Sequence, residues 1–241
     1  MNEKARYLNG IWLTIICLIM CGTLVSCGVT RNAQLPHMSY HEVHRSYPRL
    51  TKYQIDSLIA IYGNNKIFVD EFLEPTLIAL SHYPELIDTK IEFKYKRGST
   101  TMAARPKPTS MLCRRRYIVV INNKEEFDGI YLHDTPFNAQ IGIIGHELAH
   151  IADYQNHNLI GVVGILMRYS SGSRKPLFEK EIDRATIERG LGWQLHDWAK
   201  YSLSNESGST KEYKEFKRKH YLSPEEITQH MELFGKYKFT L

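Results

Sequence analysis

Cysteine is scarce in this chain of 241 residues: there are four, and three of them (Cys17, Cys21 and Cys27) fall in the first 27 positions. Cys113 stands alone in the body, so no intrachain disulfide can brace it, and a cysteine-ligated metal has nothing to draw on. Within a strand-like run, Cys113 reads as a small core residue. Long apolar runs are equally scarce beyond residue 26. The densest, Asn158–Met167, covers ten positions, well short of the roughly 20 residues that a membrane-spanning helix needs. A core helix and a segment that lines a pocket or touches a membrane both suit it. A basic stripe interleaved with aromatics is absent too, which excludes a nucleic-acid partner of the usual kind. The formal net charge is +5, and residues 1–26 hold Lys4, Arg6 and Glu3, leaving +4 spread over the rest. The one local cluster, Arg114-Arg115-Arg116, opens a strand-like run and reads as a solvated edge. Repeats and low-complexity tracts are missing. The about 190 residues past position 48 suffice for one domain with a full core.

What is present begins at the N-terminus. Residues 11–26 form an apolar run behind Lys4 and Arg6, the pattern of a secretory signal. Leu24-Val25-Ser26-Cys27 closely resembles a bacterial lipobox. That resemblance implies a lipoprotein signal peptide over 1–26 and acylation of Cys27, with several acyl chains giving a stable membrane anchor; an uncleaved signal anchor is the alternative. Gly28 follows without an acidic cluster, which suits the outer membrane and a periplasm-facing domain. Residues 27–48, with Pro36 and Pro48, read as the lipidated cysteine and a flexible tether, and residues 49–241 as the folded domain.

The most informative residues are His146-Glu147-Leu148-Ala149-His150. Histidines four apart on a helix share one face, so both imidazoles can reach one Zn²⁺. Glu147, beside the first, is placed to take a proton from a metal-bound water. Chance produces such a motif in a chain of this composition on the order of one time in a hundred, so its surroundings must decide. Ile141, Ile144, Leu148, Ala149, Ile151 and Ala152 make the segment 137–154 apolar on most of its circumference, as a buried helix requires. Thr135-Pro136 suits its N-cap and first position. A buried carboxylate there needs a partner.

A third ligand must come from elsewhere. The metzincin pattern fails, because Asp153 and Asn156 stand where it needs Gly and His. His157 lies about 10 Å beyond His150 on a continuous helix, too far to share the ion. Glu179 and Asp183, four apart at the start of a strongly helical stretch, share one face. By themselves they also suit an acidic helix N-terminus. Glu181, the reserve ligand, projects about 200° away from Glu179.

Together, His146-Glu147-x-x-His150 and Glu179-x-x-x-Asp183 resemble the gluzincin clan of zinc peptidases. Thermolysin is the distant relative in that clan, and the minigluzincins and HtpX-related peptidases are more similar. Ile182 departs from their pattern, which has Ala before the Asp. The resemblance implies that His146, His150 and Glu179 bind zinc, that Glu147 is the general base, and that Asp183 orients a ligand histidine. It also implies an edge strand before the active helix that adds a substrate strand, a role that Ile130–Leu132 fits by position. Oxyanion stabilisation is open to Tyr131, His133 and Tyr169. His196 is excluded because it lies about 25 Å beyond Glu179 along one continuous helix.

The expected fold is α+β: a mainly helical single domain, minigluzincin-like or zincin-like, with a small antiparallel sheet packed on the buried motif helix. Helices are expected from Thr51 to Gly63, over 75–83, over 178–203 and from Ser223. Lys90–Arg97 and Arg116–Asn122 have strand patterning, and residues 98–112 read as a long loop. The expected function is an envelope-anchored zinc metallopeptidase acting on a protein or peptide. The alternative is a zinc-binding lipoprotein with a structural or scaffold role and little turnover.

Overall fold

The computed structural model describes residues 43–110, 115–170 and 172–237. The signal segment 1–26, Cys27, Gly28, Cys113 and Arg114 lie outside them. Helix α1 (Lys52–Tyr62) opens with a capping box: the Thr51 hydroxyl accepts from Gln54 N–H, and the Gln54 side chain accepts from Thr51 N–H. The chain continues through β1 (Lys66–Ile67), α2 (Leu73–Ser81), β2 (Lys90–Lys96), β3 (Met102–Pro106) and β4 (Arg116–Asn122). Helices follow: α3 (Phe137–Gln155), α4 (Leu159–Ser170), α5 (Lys175–Thr186), α6 (Gly192–Leu203), α7 (Lys211–His220) and α8 (Pro224–Glu232). The protein is thus mainly helical with one small sheet, in agreement with the α+β expectation.

The sheet order is β1-β2-β4-β3. It is mixed rather than antiparallel: β1–β2 and β2–β4 pair parallel, and only β3–β4 pair antiparallel. The reason is connectivity. Helix α2 carries the crossover between β1 and β2, as parallel strands require. After β2 the chain reverses twice, laying β3 on the outer edge and returning β4 between β3 and β2. The expected loop over 98–112 therefore contains a strand. Its prolines misled because Pro106 falls on a register position whose backbone faces away from β4, where the missing N–H costs no ladder hydrogen bond. Ile130–Leu132 is not a strand; both ends of it are buried, and Leu132–Asp134 forms a 3₁₀ turn. The sheet's edges are β1 and β3, and β3 is the edge that lies beside the helix of residues 137–155.

Helix α3 is the centre of the core, with Ile141, Ile144, Leu148, Ala149, Ile151 and Ala152 all buried. It begins one residue later than expected. Pro136 is the cap, and the Thr135 hydroxyl turns back to donate to Tyr131 C=O. The expected helix over 178–203 is two helices. A π-helical turn at Ile187–Leu191 contains Gly190 at φ +96°, a backbone conformation natural to glycine. The kink lets α6 lie along α3. There the two backbones nearly touch, since a Cβ on Gly142 would stand 2.2 Å from Gln194 C=O. Gly142→Ala is therefore expected to destabilise the fold by about 3 kcal/mol through overpacking. Urea unfolding measures this, and a loss under about 1 kcal/mol would show that the helices can part.

Residues 43–48, expected at the end of the tether, pack on the domain instead. Val43 and Tyr47 meet the core, Tyr47 Oη lies 2.7 Å from His82 Nε2, and Arg45 pairs with Asp197 at 2.9 Å. Helix α4 turns Val162 and Ile165 inward and leaves Val163 and Met167 46% and 69% exposed. Among the described residues no helix is long and apolar enough to cross a membrane. The last helix has the expected cap, Ser223 with Pro224 and Glu226.

Candidate metal centre

Helix α3 places His146 and His150 one turn apart on the face that meets α5, and α5 brings Glu179 and Asp183 to the same place. All four are buried, with Glu179 only 1% exposed. Glu179 Oε2 lies 3.2 Å from His146 Nε2 and 3.3 Å from His150 Nε2. The three donor atoms fall within 4.8 Å of one another. Two atoms bound tetrahedrally to zinc at about 2.05 Å lie about 3.3 Å apart, so the spacing suits a shared ion. The chemistry suits it too. His146 Nδ1 is 2.8 Å from Asp183 Oδ1, which holds the Nδ1–H tautomer and turns the Nε2 lone pair toward the Glu179 carboxylate. Two ring nitrogens and a carboxylate oxygen facing one another require a cation between them, either protons or a metal. His150 has no such support, for its Nδ1 is buried without a hydrogen-bond partner among the described residues.

The electrostatics follow from this crowding. Burial pulls the His146 pKa down, but the Asp183 and Glu179 carboxylates more than offset it and raise it to about 10. The same contacts hold Glu179 well below the usual carboxylate range in spite of its burial. Glu147 is pushed up by burial and by Glu179, against the lowering influence of both histidines and of Ala104 N–H. Its Oε2 accepts from Ala104 N–H at 2.5 Å, so the edge strand β3 fixes the carboxylate in place. Since Ala104 N–H points away from β4, the even-numbered residues of β3 turn their backbone groups to the strand's free side.

Two spaces meet at Glu147. A groove of about 290 Å³ runs along residues 97–100 and 102–105 past Glu147, His150 and Glu179. A second, inner cavity of about 80 Å³ reaches Glu147, His146 and Asp183 between α3, α6 and α7. Tyr221 borders both spaces, and its ring centroid is 5.6 Å from that of His146. Asp183 positions this segment as well, because its Oδ2 accepts from Leu222 N–H at 2.8 Å.

The other expected site residues lie elsewhere. Tyr131 donates its hydroxyl to Lys124 C=O at 2.6 Å and stacks on the exposed His133, and neither borders the two spaces. The Tyr169 side chain lies outside what the structure describes. His157 is exposed and bonded to Asp153 C=O, and Glu181 is exposed and paired with Arg168. His196 lies against Trp193 and Asp197; the continuous helix invoked to exclude it does not exist, but its side chain borders neither space. Three groups were missed: Ala104 N–H, Tyr221 and Lys217. Lys217 had a signal in the sequence. Tyr213, Lys217 and His220 are spaced as one inward face of α7, a face on which a surface lysine does not belong.

Compared with family models, with curated proteins and with solved structures, the chain matches none.

Proposed function

We propose that this chain is a zinc-dependent peptidase that hydrolyses peptide bonds with Glu147 as general base. The observation that carries the reading is the convergence of His146, His150 and Glu179 beside a buried Glu147 on the wall of an open groove. The gluzincin-like spacing of the same residues supports it. His146, His150 and Glu179 would hold Zn²⁺, which when bound would supply a Lewis acid and bring the pKa of a water toward about 7. Glu147, its proton affinity raised by burial, takes the water proton and passes it to the leaving amine. Asp183 keeps His146 in the ligand tautomer. Beside the groove, the outer edge of β3 is paired with no other strand among the described residues, and an extended peptide would add along it, although Ala104 N–H is already given to Glu147 and Met102 C=O to Thr100. Tyr221 is our assignment for the donor to the developing oxyanion, in place of Tyr131 and His133.

The deep burial of all four site residues favours a second reading, a structural metal in a scaffold lipoprotein. Glu147 separates the two, because a structural site needs no carboxylate beside its ligands. The test is one metal ion per chain together with cleavage of an unstructured protein. A metal-loaded protein that cleaves nothing in a broad peptide library leaves the structural reading standing.

We further propose export and anchoring through Cys27, on the lipobox-like sequence. Labelled palmitate is expected in the cellular protein and should vanish in Cys27→Ser. Equal labelling of both would overturn the anchor.

A further inference from the structure

The inner cavity behind Glu147 has walls of unusual composition. Ile143, Leu195, Trp198, Phe216 and Ile227 make it apolar, yet Lys217 projects among them. Lys217 is 8% exposed. Its ammonium lies 3.5 Å from the centroid of the Tyr221 ring and 4.9 Å from that of Trp198. Among the described residues no carboxylate or carbonyl oxygen is hydrogen-bonded to it, and Asp183, Glu179 and Glu147 act on its charge only from beyond hydrogen-bond distance.

The other buried polar side chains on the cavity wall are spent within the protein. The Thr101 hydroxyl donates to Ile130 C=O, Tyr213 shares a hydrogen bond with Thr101, and Ser202 donates to Ala199 C=O. Asp183 serves His146 and Leu222, and Glu147 serves Ala104. Burying an ammonium against rings without a hydrogen-bonded anion is costly, and cation–π contacts return only part of that cost. The arrangement is one that an incoming anion completes.

We propose that this cavity receives a substrate group with an apolar stem and a carboxylate tip, and that Lys217 determines that specificity. This rests on the peptidase reading, because the cavity reaches Glu147 and the group would flank the bond being cut. Lys217 borders the inner cavity and not the groove along β3, where His150 and Glu179 lie. Its position thus suits recognition of a substrate group rather than contact with the oxyanion. The carboxylate has two sources: an acidic side chain next to the scissile bond, or the free C-terminus of a peptide.

Binding and cleavage test this separately. In metal-free full-length protein, where no zinc competes for a carboxylate, 3-phenylpropanoate is expected to bind about tenfold or more tightly than 3-phenylpropanamide by calorimetry, as a charge-assisted contact implies. That ratio should fall to near one in Lys217→Met, which keeps the stem length, and circular dichroism checks that this variant folds. Equal binding of acid and amide to the native protein overturns the proposal, whether or not any peptide is cut. Acid-selective binding that survives in Lys217→Met overturns the role of Lys217. In the zinc-loaded protein, matched peptides with Glu or Gln beside the scissile bond, each with a free or amidated C-terminus, distinguish the two sources. A preference for Glu assigns the side chain, and a preference for the free terminus assigns the C-terminal carboxylate. No preference of either kind among cleaved peptides overturns the proposal. If no peptide is cut but acid-selective binding persists and depends on Lys217, the peptidase reading fails and the carboxylate pocket stands.

Discussion

Glu147→Gln is expected to retain its zinc and to lose about 10³-fold or more in kcat, near the upper part of the range for general acid–base groups. The amide oxygen can still accept from Ala104 N–H, the contact that now holds Glu147 Oε2 at 2.5 Å, so β3 and α3 keep their relation. What disappears is the ability to take a proton. Because burial raises the Glu147 pKa, the neutral amide should also fold at least as stably as the native chain. Three measurements separate the outcomes: metal content by mass spectrometry, thermal midpoint, and cleavage rate on an unstructured protein. Retained zinc with unchanged turnover would falsify the general-base assignment. Loss of zinc together with activity would instead place Glu147 among the ligands.

Glu179→Ala is expected to weaken zinc binding by more than the roughly 10- to 100-fold that follows loss of a supporting hydrogen bond. Asp183→Ala should fall within that smaller range, since it removes the partner of His146 Nδ1 and also leaves Leu222 N–H unpaired. Glu181→Ala should bind zinc like the native protein, for Glu181 is exposed and engaged with Arg168. Competition with a chromophoric chelator ranks the three, and equal affinities for Glu179→Ala and Glu181→Ala would remove Glu179 from the site. The pH dependence follows from the metal-free geometry. His146, raised to about 10, carries a proton at neutral pH, and zinc must displace it. Affinity should therefore rise with pH, with about one proton released per ion near neutrality. The same shift stabilises the metal-free chain fully below the ordinary value of 6.5, and that contribution is lost as pH climbs through about 10. Calorimetry in buffers of different ionisation enthalpy counts the protons, and a count of zero contradicts the assignment of His146.

Much of this is legible in the sequence alone. The apolar setting of residues 137–154 marks a buried helix, and three polar residues within it imply partners, because an isolated buried charge is too costly to keep. The pair Glu179 and Asp183 is legible by spacing alone, since four residues return a helix to the same face. The capping residues at Thr51 and Ser223 also announce their helices, because their hydrogen bonds are local in sequence.

Other features were hidden for definite reasons. The strand β3 ends in a proline, and only its place on an open edge makes Pro106 harmless. Gly190 and Gly192 read as two weak positions that permit close packing within one helix, and the break at Gly190 shows only where α6 folds back along α3. Lys217 and Tyr221 lie in a stretch whose charge reads as solvated surface; the inward spacing of Lys217 on α7 hints otherwise, but only the packing of α7 over the site buries Lys217 and brings Tyr221 beside His146. The sequence by itself thus determined the ligand and base types and their helical phasing, because periodicity along one helix is a local property. Tertiary structure alone decided which strand borders the groove, which residues close the inner cavity, and that the lysine on the inward face of α7 stands there without a hydrogen-bonded anion. Those depend on contacts between segments far apart in the chain, which no local pattern encodes.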